Sequence, residues 1–187
     1  VGMVLEDVEI RVVGLESKDE VKKNGDIGVV EVKGPNVFRG YWKQPEKTKS
    51  EFRDDGFFIT GDVGFLDQDN YLTIVGRNKD LIITGGLNVY PKEIETVIDQ
   101  NSSVEESAVV GVYHPDFGEG ILAIIVEKKG HSINIDILNE TLRKNLAAFK
   151  LPKKIHVIKE LPRNSMGKVQ KNVLRDIYRD EFSDTNK

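Results

Sequence analysis

The sequence predicts an α+β protein in two parts: a small antiparallel β-rich subdomain over residues 1–79 and a compact α+β unit over residues 80–187. Three observations carry this prediction. The first part is built of short runs rich in β-branched residues, separated by frequent polar turns. From about residue 80 the pattern changes to alternating helical and extended segments. Hydrophobic residues make up 39% of the 187, enough for a buried core and too many for a disordered chain.

In the first part, VEIRVV (8–13) and GVVEVKG (28–34) read as strands on either side of the polar stretch SKDEVKKNGD. GFFITGD then runs into VGFLDQDNYLTIV, where Asp67, Gln68, Asp69 and Asn70 have the composition of a hairpin turn. Strands this short suggest a small barrel or twisted sheet. In the second part, LNVYPKEIETVIDQN places Pro91 at a first helical position, with Ile94, Val97 and Ile98 on one face. ESAVVGV and ILAIIVE are apolar runs suited to buried strands. IDILNETLRKNLAAF repeats apolar residues at Ile135, Leu138, Leu142 and Leu146, a helix expected to stop near Pro152. KIHVIKEL alternates as a half-buried strand. NVLRDIYRDEF puts Val173, Leu174, Ile177 and Tyr178 on one face of a closing helix. Between the two parts, GRNKDLIITGG reads as a short charged link, with no proline- or serine-rich linker.

Composition removes several classes of function. Without cysteine there are no disulfides, thiolate metal sites or thiol nucleophile, and His114, His131 and His156 lack ligand spacing, so no metal site is expected. No apolar run approaches membrane-spanning length, and VGMVLEDVEI is not a signal peptide. A cytoplasmic protein is expected, and the internal Met3 suggests a fragment of a larger one. The net charge of −4 conceals an asymmetry: from Arg143 to Arg179, eleven Lys and Arg face two acids, Glu160 and Asp176, an excess of +9. Such a segment suits a polyanion (a nucleotide, coenzyme A or nucleic acid), although from charge alone a solvated lysine-rich face is the better reading.

PRNSMGK (162–168) ends on a Gly-Lys that does not spell a P-loop: Pro162 stands five residues before Gly167, and Val169 follows Lys168 where Ser or Thr would be needed. TGD at 60–62 and GRNKDLIITGGLNVYPKEIE at 76–95 precede it. In this order and spacing the three stretches resemble the C-terminal part of the adenylate-forming superfamily: acyl-CoA synthetases, carrier-loading adenylation domains and firefly-type luciferases. The resemblance spans the whole chain. HPDFGEG, FKLPKKIHVIKELPRNSMGKVQKNVLR and the Tyr-Pro-Lys-Glu-Ile-Glu run are most similar to bacterial malonate–CoA ligases.

The resemblance implies a chemistry. An acid, plausibly malonate, is joined to the α-phosphate of ATP with release of pyrophosphate, and a thiol then displaces AMP. Asp62 would accept hydrogen bonds from ribose hydroxyls, with Arg77 facing ribose or phosphate. Lys168 would reach the carboxylate and phosphate oxygens during adenylation and stabilise the charge that builds there. That task needs no P-loop cradle. Lys79 falls at the family's hinge, about which residues 80–187 would swing between the two half-reactions. Gly85 and Gly86 would then approach the pantetheine channel, with Arg143, Lys153 and Lys154 as candidates for coenzyme A phosphates. Mg2+ is expected through the ATP phosphates, not at a protein site in these residues. The phosphate loop, adenine-binding segment and acyl pocket are expected upstream of residue 1, so this chain by itself should be inactive. Two other readings stay open: an adenylation domain that loads a carrier-protein thiol, and a noncatalytic module whose basic segment binds nucleic acid. On the ligase reading the partners are a small carboxylic acid, ATP and coenzyme A, with neither nucleic acid nor a membrane.

Overall fold

The β-branched runs at the start of the chain pair as the sequence predicts. In a computed structural model describing residues 1–15, 17 and 20–183, β1 (Glu9–Val13), β2 (Gly28–Lys33), β3 (Phe58–Leu66) and β4 (Leu72–Arg77) form an antiparallel sheet in chain order. A helix that the pattern did not reveal, α1 (Pro45–Glu51), lies between β2 and β3 and starts on a proline whose missing N–H costs nothing at that position. Asp67 makes the β3–β4 turn, its Oδ1 accepting from the amides of Asp69 and Tyr71, both at 2.9 Å. The most demanding feature of this unit is Glu31, fully buried on β2. Its two oxygens take Arg11 Nε at 2.8 Å and Arg53 Nε at 2.7 Å. Arg11 also covers the Phe57 ring at 3.9 Å. A carboxylate so deeply buried is tolerable only when both oxygens are paired with charge.

The chain divides into two compact units, Val1–Lys79 and Asp80–Lys187. The link predicted over GRNKDLIITGG is shorter than expected. Only Asn78–Asp80 form a single 3-10 turn, and β5 (Ile82–Thr84) already belongs to the second sheet with Ile82 fully buried. That sheet continues with β6 (Leu87–Val89), β7 (Val104–His114), β8 (Gly118–Glu127) and β9 (Lys154–Ile158). The strand order is β6-β5-β8-β7, and β9 runs parallel to β8 along Leu122–Val126.

β8 is apolar at every position from Ile121 to Val126 because both its faces are covered. Ile121, Ala123 and Ile125 join α2 (Pro91–Asp99) and α3 (Ile135–Asn145) in one core, with Ile94, Ile98, Leu138 and Leu142. Leu122, Ile124 and Val126 face the other way, towards Leu161, Phe182 and Leu174 of α4 (Lys171–Ile177). α3 stops at Asn145, seven residues before Pro152, and Ala148–Lys150 form a separate 3-10 turn. Its N-terminus is capped by Asn134, whose Oδ1 accepts from the amides of Asp136 and Ile137. α4 is shorter than its pattern suggested: Leu174 is buried but Ile177 is 62% exposed, because the chain leaves the helix at Tyr178. Among the described residues no helix is long and apolar enough to cross a membrane.

The two faces of this unit set a stability contrast. We expect Leu122→Ala to cost about 2–5 kcal/mol by opening a cavity in the buried strand. Ile177→Ala, on the exposed side of α4, should stay within about 0.5 kcal/mol. Urea denaturation of the 187-residue chain measures both; comparable losses would contradict the burial described here.

Candidate functional site

Most of the residues singled out in the sequence fall into three clusters, one in the first unit and two in the second, with Lys79 in the turn Asn78–Asp80 and Arg143 on α3 outside them. In the first unit Asp62 on β3 and Arg77 on β4 are direct cross-strand partners, and Arg77 Nε meets Asp62 Oδ1 at 2.9 Å. Arg77 Nη1 also donates to the Thr60 carbonyl at 3.1 Å. Thr60 fixes the start of the motif: its hydroxyl donates to the Val30 carbonyl and accepts from the Asp62 amide. The surface ion pair that is the simplest reading of Arg77 is thus present. It also aims a carboxylate and a guanidinium from one spot on the sheet, a complementary pair for hydroxyl and phosphate oxygens.

Lys168 lies in the second unit, on the exposed loop between β9 and α4. The loop is held as a small hairpin. Arg163 and Val169 bridge as antiparallel partners, the Asn164 amide donates to the Lys168 carbonyl at 3.0 Å, and the Gln170 amide to the Pro162 carbonyl at 2.8 Å. Asn164 Oδ1 accepts from the amides of Met166 at 3.0 Å and Lys168 at 2.9 Å. The Gly of the Gly-Lys pair has φ +78°, a left-handed turn that any other residue would strain. The backbone of Lys168 is therefore fixed while its ammonium has no ion-pair or hydrogen-bond partner among the described residues.

Most of the surrounding positive charge is not free in this way. Six of the eleven basic residues from Arg143 to Arg179 form ion pairs: Lys150 with Glu93, Lys154 with Glu181, Arg163 with Glu106, Lys171 with Glu95, Arg175 with Asp80 and Arg179 with Asp180. The excess of +9 counted along the sequence is largely matched by acids brought in from elsewhere in the fold.

The third cluster surrounds Gly85 and Gly86. With φ of +56° and +78° they form the two-residue turn between β5 and β6, a conformation that hairpins favour and glycine supplies. The turn is anchored by the Gly85 amide to the Phe117 carbonyl at 2.8 Å and by the Ile83 amide to Glu119 Oε2 at 2.6 Å. Beside it opens a cleft of about 370 Å³ whose walls include Gly85, Phe117, Phe149 and Lys153. Lys153 Nζ sits 3.7 Å from the centre of the Phe117 ring. The cleft thus joins two of the residues expected together, Gly85 and Lys153. Gly86, Arg143 and Lys154 are not among its lining residues. Lys154 is held by the Glu181 carboxylate at 2.8 Å, and this bond keeps the Glu181 carboxyl below its ordinary range.

Sequence reasoning missed Asn164, Arg163, Glu95, Glu106, Phe117 and Glu119 as organisers of these clusters. Asn164 was findable, because Asn ahead of Ser-Met-Gly is a turn-forming signal. The acids carried none, since each acts across a strand or helix rather than along the chain.

Comparison with known proteins agrees with this fold. Residues 93–168 match the family described as AMP-binding enzyme C-terminal domain. A 2-succinylbenzoate–CoA ligase of a Geobacillus species is 38% identical over 87% of the chain, which spans 33% of that protein. A long-chain-fatty-acid–CoA ligase of Haemophilus influenzae is 41% identical over 94% of the chain and 31% of its own length. The chain thus spans about a third of the curated relatives it matches. ATP-bound MatB from Rhodopseudomonas palustris superimposes with a TM-score of 0.89 at 57% identity, over 97% of this chain and 36% of that one. Its apo structure covers the same shares at a TM-score of 0.73. With the three motifs in order, sheets of antiparallel strands covered by helices, and a family match that runs up to Lys168 itself, the chain belongs to the adenylate-forming superfamily and carries its AMP-binding C-terminal domain.

Proposed function

We propose that these residues serve as the C-terminal part of an AMP-forming acyl-CoA ligase that adenylates a small carboxylic acid with ATP and passes the acyl group to coenzyme A. One observation carries this reading: Lys168 is a partnerless ammonium on a fixed loop of the matched domain, while most nearby cations are neutralised. An acid attacking the α-phosphate of ATP concentrates negative charge on the acyl and phosphoryl oxygens. A positioned ammonium stabilises that charge more than it stabilises the separated reactants. Asp62 and Arg77 are assigned to the ribose and its phosphate. The residues that would contact Mg2+ are not assigned, since the ion would be held by the ATP phosphates.

Coenzyme A is favoured as acceptor by the cleft beside Gly85. Two aromatic walls suit a nucleotide base and Lys153 suits a phosphate, whereas a carrier protein brings no base to fill it. A nucleic-acid-binding module is disfavoured, because six of the eleven cations it would use are already paired. For the acid we assign malonate. MatB, a malonyl-CoA synthetase, is 57% identical, against 38% and 41% for the ligases named for 2-succinylbenzoate and long-chain acids. The resemblance of HPDFGEG and its neighbouring runs to malonate–CoA ligases points the same way.

Lys79 is assigned as the hinge. The next residue, Asp80, is tied into the second unit by Arg175 at 2.7 Å, whereas the exposed Lys79 side chain has no ion-pair partner among the described residues. A torsional change at residue 79 would leave the Asp80–Arg175 pair whole, which a change further along would break.

In the full-length ligase that this reading requires, Lys168→Ala should slow pyrophosphate release from ATP and malonate by about a hundredfold or more, as expected for an electrostatic stabiliser. Thioester formation from supplied malonyl-adenylate should be largely spared. Equal damage to both half-reactions, or pyrophosphate release with palmitate and none with malonate, would count against the assignment.

Proline at position 79 tests the hinge itself. It holds φ near −65°, so Lys79→Pro should freeze one orientation, the adenylating one. Pyrophosphate release should survive while transfer to coenzyme A falls far more. Lys79→Ala, which leaves the backbone free to turn, should do much less. If the two substitutions behave alike, residue 79 is not the hinge.

A further inference from the structure

The loop that carries Lys168 is internally complete and, apart from Val169, which packs against the core around Leu161 and Leu174, has few ties to the rest of its unit. The bonds from Asn164, and the pairing of Arg163 with Val169 and of Pro162 with Gln170, hold the loop to itself. They would survive if the whole hairpin pivoted. Two ion pairs oppose that pivot. At the far end Lys171, first residue of α4, reaches Glu95 Oε1 at 2.6 Å. At the near end Arg163 makes a bridge: Nη1 donates to the Gly167 carbonyl at 2.6 Å, and Nη2 donates to the Glu106 carboxylate on β7. One planar guanidinium thus joins the residue before Lys168 to the central sheet.

The sheet end of this bridge is also fixed. Glu106 pairs with Val126 of β8 next to a register shift between Val104 and Glu106, and bulges of this kind re-aim the side chains beside them. It stands two and four residues before Ala108 and Val110, on the face that Leu161 and Leu174 cover. The loop begins directly after Leu161. The fork geometry matters because the two acceptors lie in different directions. Arginine serves both from one rigid plane; lysine, a point charge on a flexible stem, does not.

We propose that Arg163 and Glu106 are positioning residues for Lys168, acting as a strut that holds the ammonium where the adenylation step needs it. This rests on the reading of Lys168 given above. Neither residue need touch substrate. Small displacements of a catalytic group cost a large share of its effect, so loss of the strut should be felt in one half-reaction only.

The test uses the full-length ligase with Arg163→Ala, Arg163→Lys, Glu106→Gln and Lys168→Ala, each also combined with Lys168→Ala where distinct. Pyrophosphate release from ATP and acid is followed separately from thioester formation from acyl-adenylate and coenzyme A. Arg163→Ala should lower kcat of adenylation by about 10- to 100-fold with KM for ATP little changed, and leave thioester formation intact. Arg163→Lys and Glu106→Gln should show the same selectivity with smaller losses. In the Lys168→Ala background the Arg163 substitution should add almost nothing, because both remove one effect. Unchanged adenylation, equal loss of both half-reactions, or full additivity with Lys168→Ala would each overturn the strut. If Arg163→Ala does not fold, Glu106→Gln is judged by the same criteria. If Lys168→Ala alone leaves adenylation intact, the reading of Lys168 fails instead, and the two failures are told apart by that single variant.

Discussion

The double burial of β8 is the constraint on which the second unit is built. A strand with no polar side chain from Ile121 to Val126 must be covered on both faces, and its edges must be paired along their length. β7 takes one edge; β9 and the end of β5 share the other. The helices follow from the faces. α2 and α3 cover the odd-numbered residues, and α4 covers the even-numbered ones. Because α4 is needed on that second face, the chain must leave β9 and turn back, and the turn it makes is the loop of Lys168.

Charge then refines what the apolar core has built. Glu95 on α2 is buried, accepting from the outer-edge amide of Val109 at 2.9 Å and from Lys171 of α4 at 2.6 Å. One carboxylate therefore links a helix on each side of the sheet with the edge strand between them. A buried acid of this kind is stable only while both contacts persist, so it penalises any slip of α4 along the sheet. Asp80 with Arg175, and Glu106 with Arg163, repeat the arrangement at the start of the unit and at the loop. These acids and bases pair with one another across the unit, whereas the ammonium of Lys168 has no ion-pair partner among the described residues.

The first unit shows the same division of labour on a smaller scale. Its four strands are a simple meander, and Glu31 between Arg11 and Arg53 ties β1 and β2 to the segment leading into β3. The register of β3 against β4 places Asp62 opposite Arg77. Neither residue is unusual by itself. Pairing them at one point gives a site whose two groups are aligned by the same backbone hydrogen bonds that form the sheet.

Much of this was legible in the chain alone. β-branched and apolar runs gave most of the strands, Pro91 and the i, i+3, i+4 apolar positions gave α2 and α3, and the Asp67–Asn70 cluster gave the hairpin, because each signal lies within a few consecutive residues. The motifs and their spacing gave the family, and by resemblance they singled out Lys168. Other features were not legible. β5 looked like part of a link, since three residues are too few to show a period, and Ile177 matched an apolar face that the fold leaves exposed. The excess of +9 suggested a polyanion site until Glu93, Glu95, Glu106, Asp80 and Glu181 arrived from other elements to meet it. The sequence by itself determined most of the strands and the helices α2 and α3, and by resemblance it singled out Lys168, since those signals depend on neighbours along the chain. Which of the charges are neutralised was decided only by the tertiary structure, because an ion pair depends on distance in space and its partners here stand up to 95 residues apart.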